Sequence, residues 1–65
     1  MSSAFPVGTR VRVTEPASPF HDRAGIVCHV FRAAANTVEV RLDGSTEPEM
    51  FSDDELAREP PPEVA

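Results

Sequence analysis

The sequence contains one cysteine, no lysine and no long apolar run, and each of these absences excludes a class of protein. A lone Cys28 cannot form an intrachain disulfide or a cysteine-based zinc site, so hydrophobic burial must stabilise the fold. No stretch approaches the ~20 apolar residues of a membrane-spanning helix, and residues 1–6 lack the basic and apolar regions of a signal peptide. We therefore expect a soluble, cytoplasmic protein without a membrane span.

The length of the chain, 65 residues, corresponds to one small domain. A domain of this size buries only about 60% of the surface that its unfolded chain exposes, which leaves room for one thin core. Substrate pockets usually have volumes of roughly 300–1,000 Å³, so we expect none within a single copy. Any active site would therefore have to form between subunits, and we expect a protein that is not an enzyme and holds no cofactor.

The charges are unevenly divided along the chain. Residues 1–38 hold four arginines against two acids, a balance of +2, whereas residues 39–65 hold two arginines against nine acids, a balance of −7. Nucleic-acid binders draw much of their affinity from lysine and arginine contacts with phosphates. Without lysine and with a net charge of −5, the chain is not expected to bind nucleic acid.

Two segments alternate between apolar and polar residues, which is the pattern of a half-buried strand. They cover residues 10–14 and 37–42, and the second ends at an Asp43-Gly44 turn signal. The alternation directs one set of apolar side chains inward: Val11, Val13, Val38, Val40 and Leu42.

Between these strands, residues 25–31 are apolar on both parities, so alternation alone does not assign their faces. A β-bulge in this segment would direct both Val27 and Val30 inward. Pro16 and Pro19 interrupt the preceding segment, which predicts a loop of about ten residues before this strand. Loops of that length in compact domains are often functional.

The remainder of the chain predicts a short fourth strand at residues 49–51 and a last strand at 56–58. Between them, Ser52 and Glu55 fit a capping box, which predicts one helical turn. This order predicts an all-β fold, a small five-stranded SH3-like barrel with one short helical turn before the last strand. We assign residues 1–6 to an N-terminal extension, 7–58 to the barrel, and 59–65 to a disordered, proline-rich acidic tail.

Two arrangements suggest chemistry, and both have simpler interpretations. Cys28 and His29 are neighbours on a strand, so their side chains point to opposite faces and a catalytic dyad is disfavoured. We expect a buried, structural Cys28 and a half-exposed His29. A metal site built from His21, Asp22 and His29 lacks a recognised ligand spacing, so no metal is predicted.

Three groups of residues are candidates for contact with a partner. Phe20, His21 and Arg23 lie at the end of the long loop, where Phe20 either anchors a partner or covers the core as a lid. The outward arginines of the first and third strands form a predicted basic strip, which Glu39 would partly neutralise. The acidic turn, which consists of Asp53, Asp54 and Glu55, is either a docking patch or a solvated cap. The predicted partner-binding residues are Arg10, Arg12, Phe20, His21, Arg23, Arg41, Asp53 and Asp54.

The order of these motifs resembles a family of SH3-like subunits of photosynthetic complexes. The shared pattern consists of Gly8-x-Arg10-Val11-Arg12-Val13, Pro16-x-Ser18-x-Phe20-x-Asp22-x-x-Gly25-x-Val27, Val38-x-Val40-Arg41-Leu42 and Phe51-Ser52-x-Asp54-Glu55-Leu56. It is similar to the E subunit of photosystem I and, more loosely, to the variable chain of ferredoxin-thioredoxin reductase and the S subunit of the NAD(P)H dehydrogenase-like complex. The resemblance implies a non-catalytic subunit that caps a redox complex or helps an iron–sulfur carrier dock.

Three hypotheses about function follow from the sequence. The first is a protein-binding accessory subunit or adaptor, whose partner is a redox enzyme, a ferredoxin-like carrier or another enzyme complex. The second is a KOW-like module that binds RNA or the transcription or translation machinery. The third is a subunit of an oligomeric enzyme whose site forms across a symmetry axis.

Overall fold

The fold, seen in a computed structural model that describes residues 4–33 and 36–60, is all-β. The predicted class, the five strands and the helical turn before the last strand are confirmed. No helix among the described residues is long and apolar enough to cross a membrane. The elements are β1 (Arg10–Val13), β2 (Ala24–Phe31), β3 (Thr37–Leu42), β4 (Glu49–Ser52), the 3-10 turn Asp53–Glu55, and β5 (Leu56–Arg58).

The strands form one antiparallel sheet in the order β4-β3-β2-β1-β5. A sheet must bury its apolar face against another layer or against itself. All five strands contribute to that face, and its residues are at most 6% exposed. The buried core consists of six of the predicted inward residues together with Phe51 and Leu56: Val11, Val13, Val27, Val38, Val40, Leu42, Phe51 and Leu56.

The predicted bulge in β2 is present. The register of β2 against β3 shifts between Val27 and His29, so one residue is left over on β2. As a result Val27 is fully buried and Val30 packs against the core. The expectation of a buried Cys28 is wrong, because the extra residue at the bulge is Cys28 itself and its thiol is exposed.

At Gly25 the backbones of β2 and β3 leave no room for a side chain. Gly25 is paired with Leu42, and a Cβ atom placed on it would lie 2.3 Å from the carbonyl oxygen of Arg41 and 2.7 Å from the Cα of Leu42. Both contacts are with backbone, so no side-chain rotation relieves them. Glycine at this position therefore permits the β2–β3 pairing.

The loop between β1 and β2, residues 14–23, is tied down at both ends. Val13 donates to the carbonyl of Arg23 at 2.8 Å and accepts from Asp22 at 2.8 Å. Within the loop, the amide of Ser18 donates to the Glu15 carbonyl at 3.1 Å, and the amide of Phe20 donates to the Ser18 hydroxyl at 3.1 Å. The loop therefore has its own hydrogen-bonded structure and presents its side chains in fixed positions.

Both segments outside the predicted barrel contact the sheet. Phe5 packs against the core, and the Ala4 amide donates to Asp53 Oδ2 at 2.9 Å. At the other end, the Glu59 amide donates to the Arg10 carbonyl at 2.9 Å, which continues the β1–β5 pairing by one residue. The rest of the predicted disordered tail, from residue 61 onward, lies outside the described residues.

Candidate functional site

The arginines of the predicted basic strip point outward from β1 and β3, but two of the three are already paired. Arg10 binds Asp43 in a bidentate arrangement, with Nη1 to Oδ1 and Nη2 to Oδ2 both at 2.8 Å. Arg12 binds Glu59 in the same way, with Nε to Oε2 at 2.8 Å and Nη2 to Oε1 at 2.9 Å. Acids from the C-terminal half thus neutralise most of the strip.

The pKa values of these groups shift as the pairing requires. The hydrogen bonds from Arg10 lower the pKa of Asp43, and those from Arg12 lower the pKa of Glu59. The same bonds raise the pKa of each arginine. Each carboxylate therefore stays charged, and its arginine stays paired, to a pH below the usual range.

Phe20 occupies the lid position that the sequence left open as an alternative to an anchor. It is half-buried, packs against the core and meets Phe51 edge-to-face with ring centroids 5.9 Å apart. Its neighbour His21 is exposed. Arg23 is also exposed, and its Nη2 donates to the Asp43 carbonyl at 3.1 Å and to the Ser45 hydroxyl at 3.2 Å.

The acidic turn forms the predicted capping box. Glu55 Oε1 accepts from the Ser52 amide at 2.9 Å, and the Ser52 hydroxyl donates to Asp54 Oδ1 at 2.5 Å. The Asp53 carboxylate accepts a hydrogen bond from the amide of Ala4 and so holds the N-terminal segment against the sheet. All three acids thus accept hydrogen bonds within the fold, and Asp54 is the most exposed of them.

A small apolar surface lies on the outer face of the sheet, and we call it the Ile26 patch: Val7, Ile26, Cys28 and Arg41. Val7 is 63% exposed and Ile26 is 43% exposed, although both are aliphatic. Ile26 lies between Arg10 and Arg41 in the strand register, and the four residues border one shallow concavity. Backbone hydrogen bonds from Gly8 to Val27 and from Val27 to Thr9 hold Val7 beside β2.

Arg41 differs from the other two arginines of the strip. Among residues 4–33 and 36–60, no carboxylate forms an ion pair with it, and its side chain is exposed. The Ile26 patch therefore combines two exposed aliphatic side chains with a cation that is available to a partner.

A second concavity, which we call the loop groove, lies between the β1–β2 loop and β4. Its loop wall and strand wall together consist of Glu15, Ala17, Ser18, Pro19, Phe20, Met50, Phe51 and Glu55. Met50 is 63% exposed at the edge of this groove. The floor is apolar, and the two charged groups that border it are both carboxylates.

The other residues considered for catalysis or metal binding do not come together in one site. His29 makes an edge-to-face contact with Phe31, with centroids 4.6 Å apart, while the Cys28 thiol donates to the Glu39 carbonyl at 3.3 Å. The two neighbours therefore have separate partners and form no dyad. Within the described part of the chain, no group of three or more His, Cys, Asp or Glu side chains could hold a metal ion.

Comparison of the chain with protein-family models, with curated proteins and with solved structures gives no match.

The exposed large hydrophobic side chains of these surfaces were not among the predicted partner-binding residues: Val7, Ile26 and Met50. Ile26 belongs to an apolar run in which alternation alone did not assign faces. Ile26 lies between Gly25 and Val27, and Val27 was predicted to point inward. Because adjacent residues of a strand point to opposite faces, this position indicates that the Ile26 side chain points outward.

Proposed function

We propose that the chain is a non-catalytic accessory domain that binds another protein through the Ile26 patch. The observation that carries this proposal is the juxtaposition of exposed Val7 and Ile26 with Arg41, a cation without a described ion pair. Apolar surface next to an available arginine is typical of protein interfaces, where arginine is enriched and lysine is depleted. This surface supports recognition of a protein.

The same geometry explains why Arg41, and not Arg10 or Arg12, is expected to contact the partner. A carboxylate that approaches Arg10 or Arg12 must compete with a bidentate acid held at 2.8 Å. A carboxylate that approaches Arg41 displaces only water. Arg41 is therefore the cation of the strip that gains most from a partner.

The partner should present a carboxylate beside an apolar side chain. A redox enzyme or an acidic ferredoxin-like carrier, as the family resemblance implies, has this chemistry. Contacts between redox partners often bury less than about 1,200 Å², which is compatible with a surface this small. Because the charged contact is exposed, binding should weaken as the salt concentration rises.

The experiment that tests this proposal uses three versions of the chain as affinity baits in extracts of the native host. The wild type should retain a partner that Arg41→Glu loses. Arg32→Glu is the matched control, because Arg32 is another exposed arginine without an ion pair among the described residues. A partner that Arg41→Glu retains as well as the wild type does would refute the role of the patch.

Purified probes separate the classes of partner. An acidic ferredoxin tests the electron-transfer hypothesis directly, and a single-stranded RNA tests the KOW-like alternative. We expect RNA binding at physiological salt to be weaker than the ~10⁻⁴–10⁻⁶ M that is typical of non-specific binders. Submicromolar RNA binding would overturn the proposal in favour of the KOW-like module.

A further inference from the structure

The loop groove is a second concave surface, separate from the Ile26 patch. One of its walls is the hydrogen-bonded β1–β2 loop and the other is β4, the strand at one edge of the sheet. Phe51 is 4% exposed and contacts Phe20, so the floor is fixed by the core. Met50 is 63% exposed and leaves apolar surface at the strand wall. The groove is therefore formed without a partner present.

The backbone of β4 has unpaired groups on the side of this groove. The Asp53 amide donates to the Asn36 carbonyl, which directs position 53 toward β3, and the Ser52 amide donates to its own turn through Glu55 Oε1. Because backbone groups alternate in direction along a strand, the N–H and C=O of Met50 point away from β3. Neither has a hydrogen-bond partner among residues 4–33 and 36–60. An edge strand with such groups can accept another strand.

The charges bordering the groove select the occupant. Glu15 Oε2 accepts from the Ala17 amide at 3.2 Å, and Glu55 Oε1 accepts from the Ser52 amide at 2.9 Å. These bonds fix both carboxylates and leave each with a second oxygen that can accept from a ligand. Among the described residues, no cationic side chain lines the groove. A ligand with an arginine or lysine would complement it, whereas an acidic segment would be repelled.

We propose that the loop groove binds an extended peptide segment that carries an apolar side chain next to an arginine or lysine. Its backbone pairs with the N–H and C=O of Met50, its apolar side chain lies between Pro19 and Met50, and its cation meets Glu15 and Glu55. This inference does not depend on the Ile26 patch, because the two surfaces share no residue.

The probe for this proposal is a synthetic library of short, unstructured peptides selected on the wild-type chain. Selected sequences should share an arginine or lysine adjacent to an aliphatic or aromatic residue. In a titration with a selected peptide, NMR amide shifts should concentrate at Met50, Ala17 and Ser18. Acidic or uncharged consensus sequences, or shifts confined to the Ile26 patch, would overturn the proposal.

Two variants test the contacts. Glu15→Gln should lower the affinity for a selected peptide by about fivefold, because an exposed ion pair is worth up to about 1 kcal/mol. The matched control is Glu47→Gln, which changes an exposed acid outside the groove and should leave affinity unchanged. Equal affinities for both variants would contradict the assigned role of Glu15.

The strand pairing is tested on the peptide, so that the protein keeps its fold. N-methylation of the one peptide amide that faces Met50 removes a donor and should abolish binding, whereas N-methylation of the next amide should have a smaller effect. Equal effects at both positions would contradict strand pairing. Sedimentation of the wild-type chain shows whether a second copy of the chain occupies the groove. Self-association through β4 in the absence of any selected peptide would also overturn the proposal.

Discussion

Arg12 of β1 holds Glu59, the residue after β5, in a bidentate ion pair whose two N–O distances are 2.8 and 2.9 Å. The backbone supports the same connection, since the Glu59 amide donates to the Arg10 carbonyl at 2.9 Å. A cation that the sequence offered for docking is therefore used to fasten the C-terminal end of the folded region. Within residues 4–33 and 36–60, Arg41 is the one arginine of the predicted strip without an ion pair.

Two truncations test where the folded region ends. Removal of residues 60–65 should leave the melting temperature unchanged, because Glu59 and both of its contacts remain. Removal of residues 59–65 should lower it by a few degrees, because the ion pair and the backbone bond are lost together. Thermal unfolding followed by circular dichroism measures both. A similar melting temperature for the two truncations would show that Glu59 does not stabilise the fold.

The two ion pairs also predict how stability depends on pH. Asp43 and Glu59 have lowered pKa values in the folded chain, so their contribution is complete above their ordinary values of 3.8 and 4.5 and is lost as the pH falls through the folded-state values. Urea unfolding of the wild type and of Asp43→Asn/Glu59→Gln should therefore differ at pH 7 and converge in acid. A difference that persists or grows in acid would contradict this account.

Gly25→Ala should destabilise the fold by about 1–3 kcal/mol, because the added methyl group meets the backbone of Arg41 and Leu42. Gly44→Ala is the contrast: its Cβ meets nothing within 4 Å, and only the φ of +85° opposes it. That strain is about 1–2 kcal/mol at most. Chemical denaturation gives both values. A well-tolerated Gly25→Ala would show that β2 and β3 can separate at this point.

Val40 tests the core. It is fully buried at the centre of β3, so Val40→Ala should cost on the order of 1–3 kcal/mol in the free energy of unfolding. Val7→Ala removes the same atoms from a side chain that is 63% exposed, and it should change the stability by less than about 0.5 kcal/mol. Equal losses for the two variants would mean that the core does not lie on this face.

The sequence predicted the strands, the bulge and the capped turn because each depends on local pattern. Alternation at residues 10–13 and 37–42 fixes which side chains are inward, and a bulge in β2 was predicted because it would direct both Val27 and Val30 inward. Which residue between Val27 and Val30 is the extra one was not predicted. Its location at Cys28 exposes the thiol that was expected to be buried.

The site could be predicted only in part. The alternation of side chains along a strand predicts that Arg10, Arg12 and Arg41 point outward. It does not predict which acids pair with Arg10 and Arg12. Asp43 lies 33 residues from Arg10 and Glu59 lies 47 residues from Arg12, so the ion pairs depend on how distant strands pair in the sheet. The loop groove likewise requires two segments that are distant in sequence, Glu15 to Phe20 and Met50 to Glu55, to face each other.

The reactivity of Cys28 shows directly whether a protein partner covers the Ile26 patch. Cys28 is the one cysteine of the sequence, its thiol is exposed, and it lies in the patch beside Ile26 and Arg41. The rate of Cys28 alkylation is measured while the partner retained by the wild-type bait is titrated, for the wild type and for Arg41→Glu, with circular dichroism to confirm that both are folded. The partner should protect Cys28 in the wild type, and Arg41→Glu should need at least about tenfold more partner for the same protection. An alkylation rate that stays constant while the partner binds, or equal protection of both proteins, would contradict this prediction.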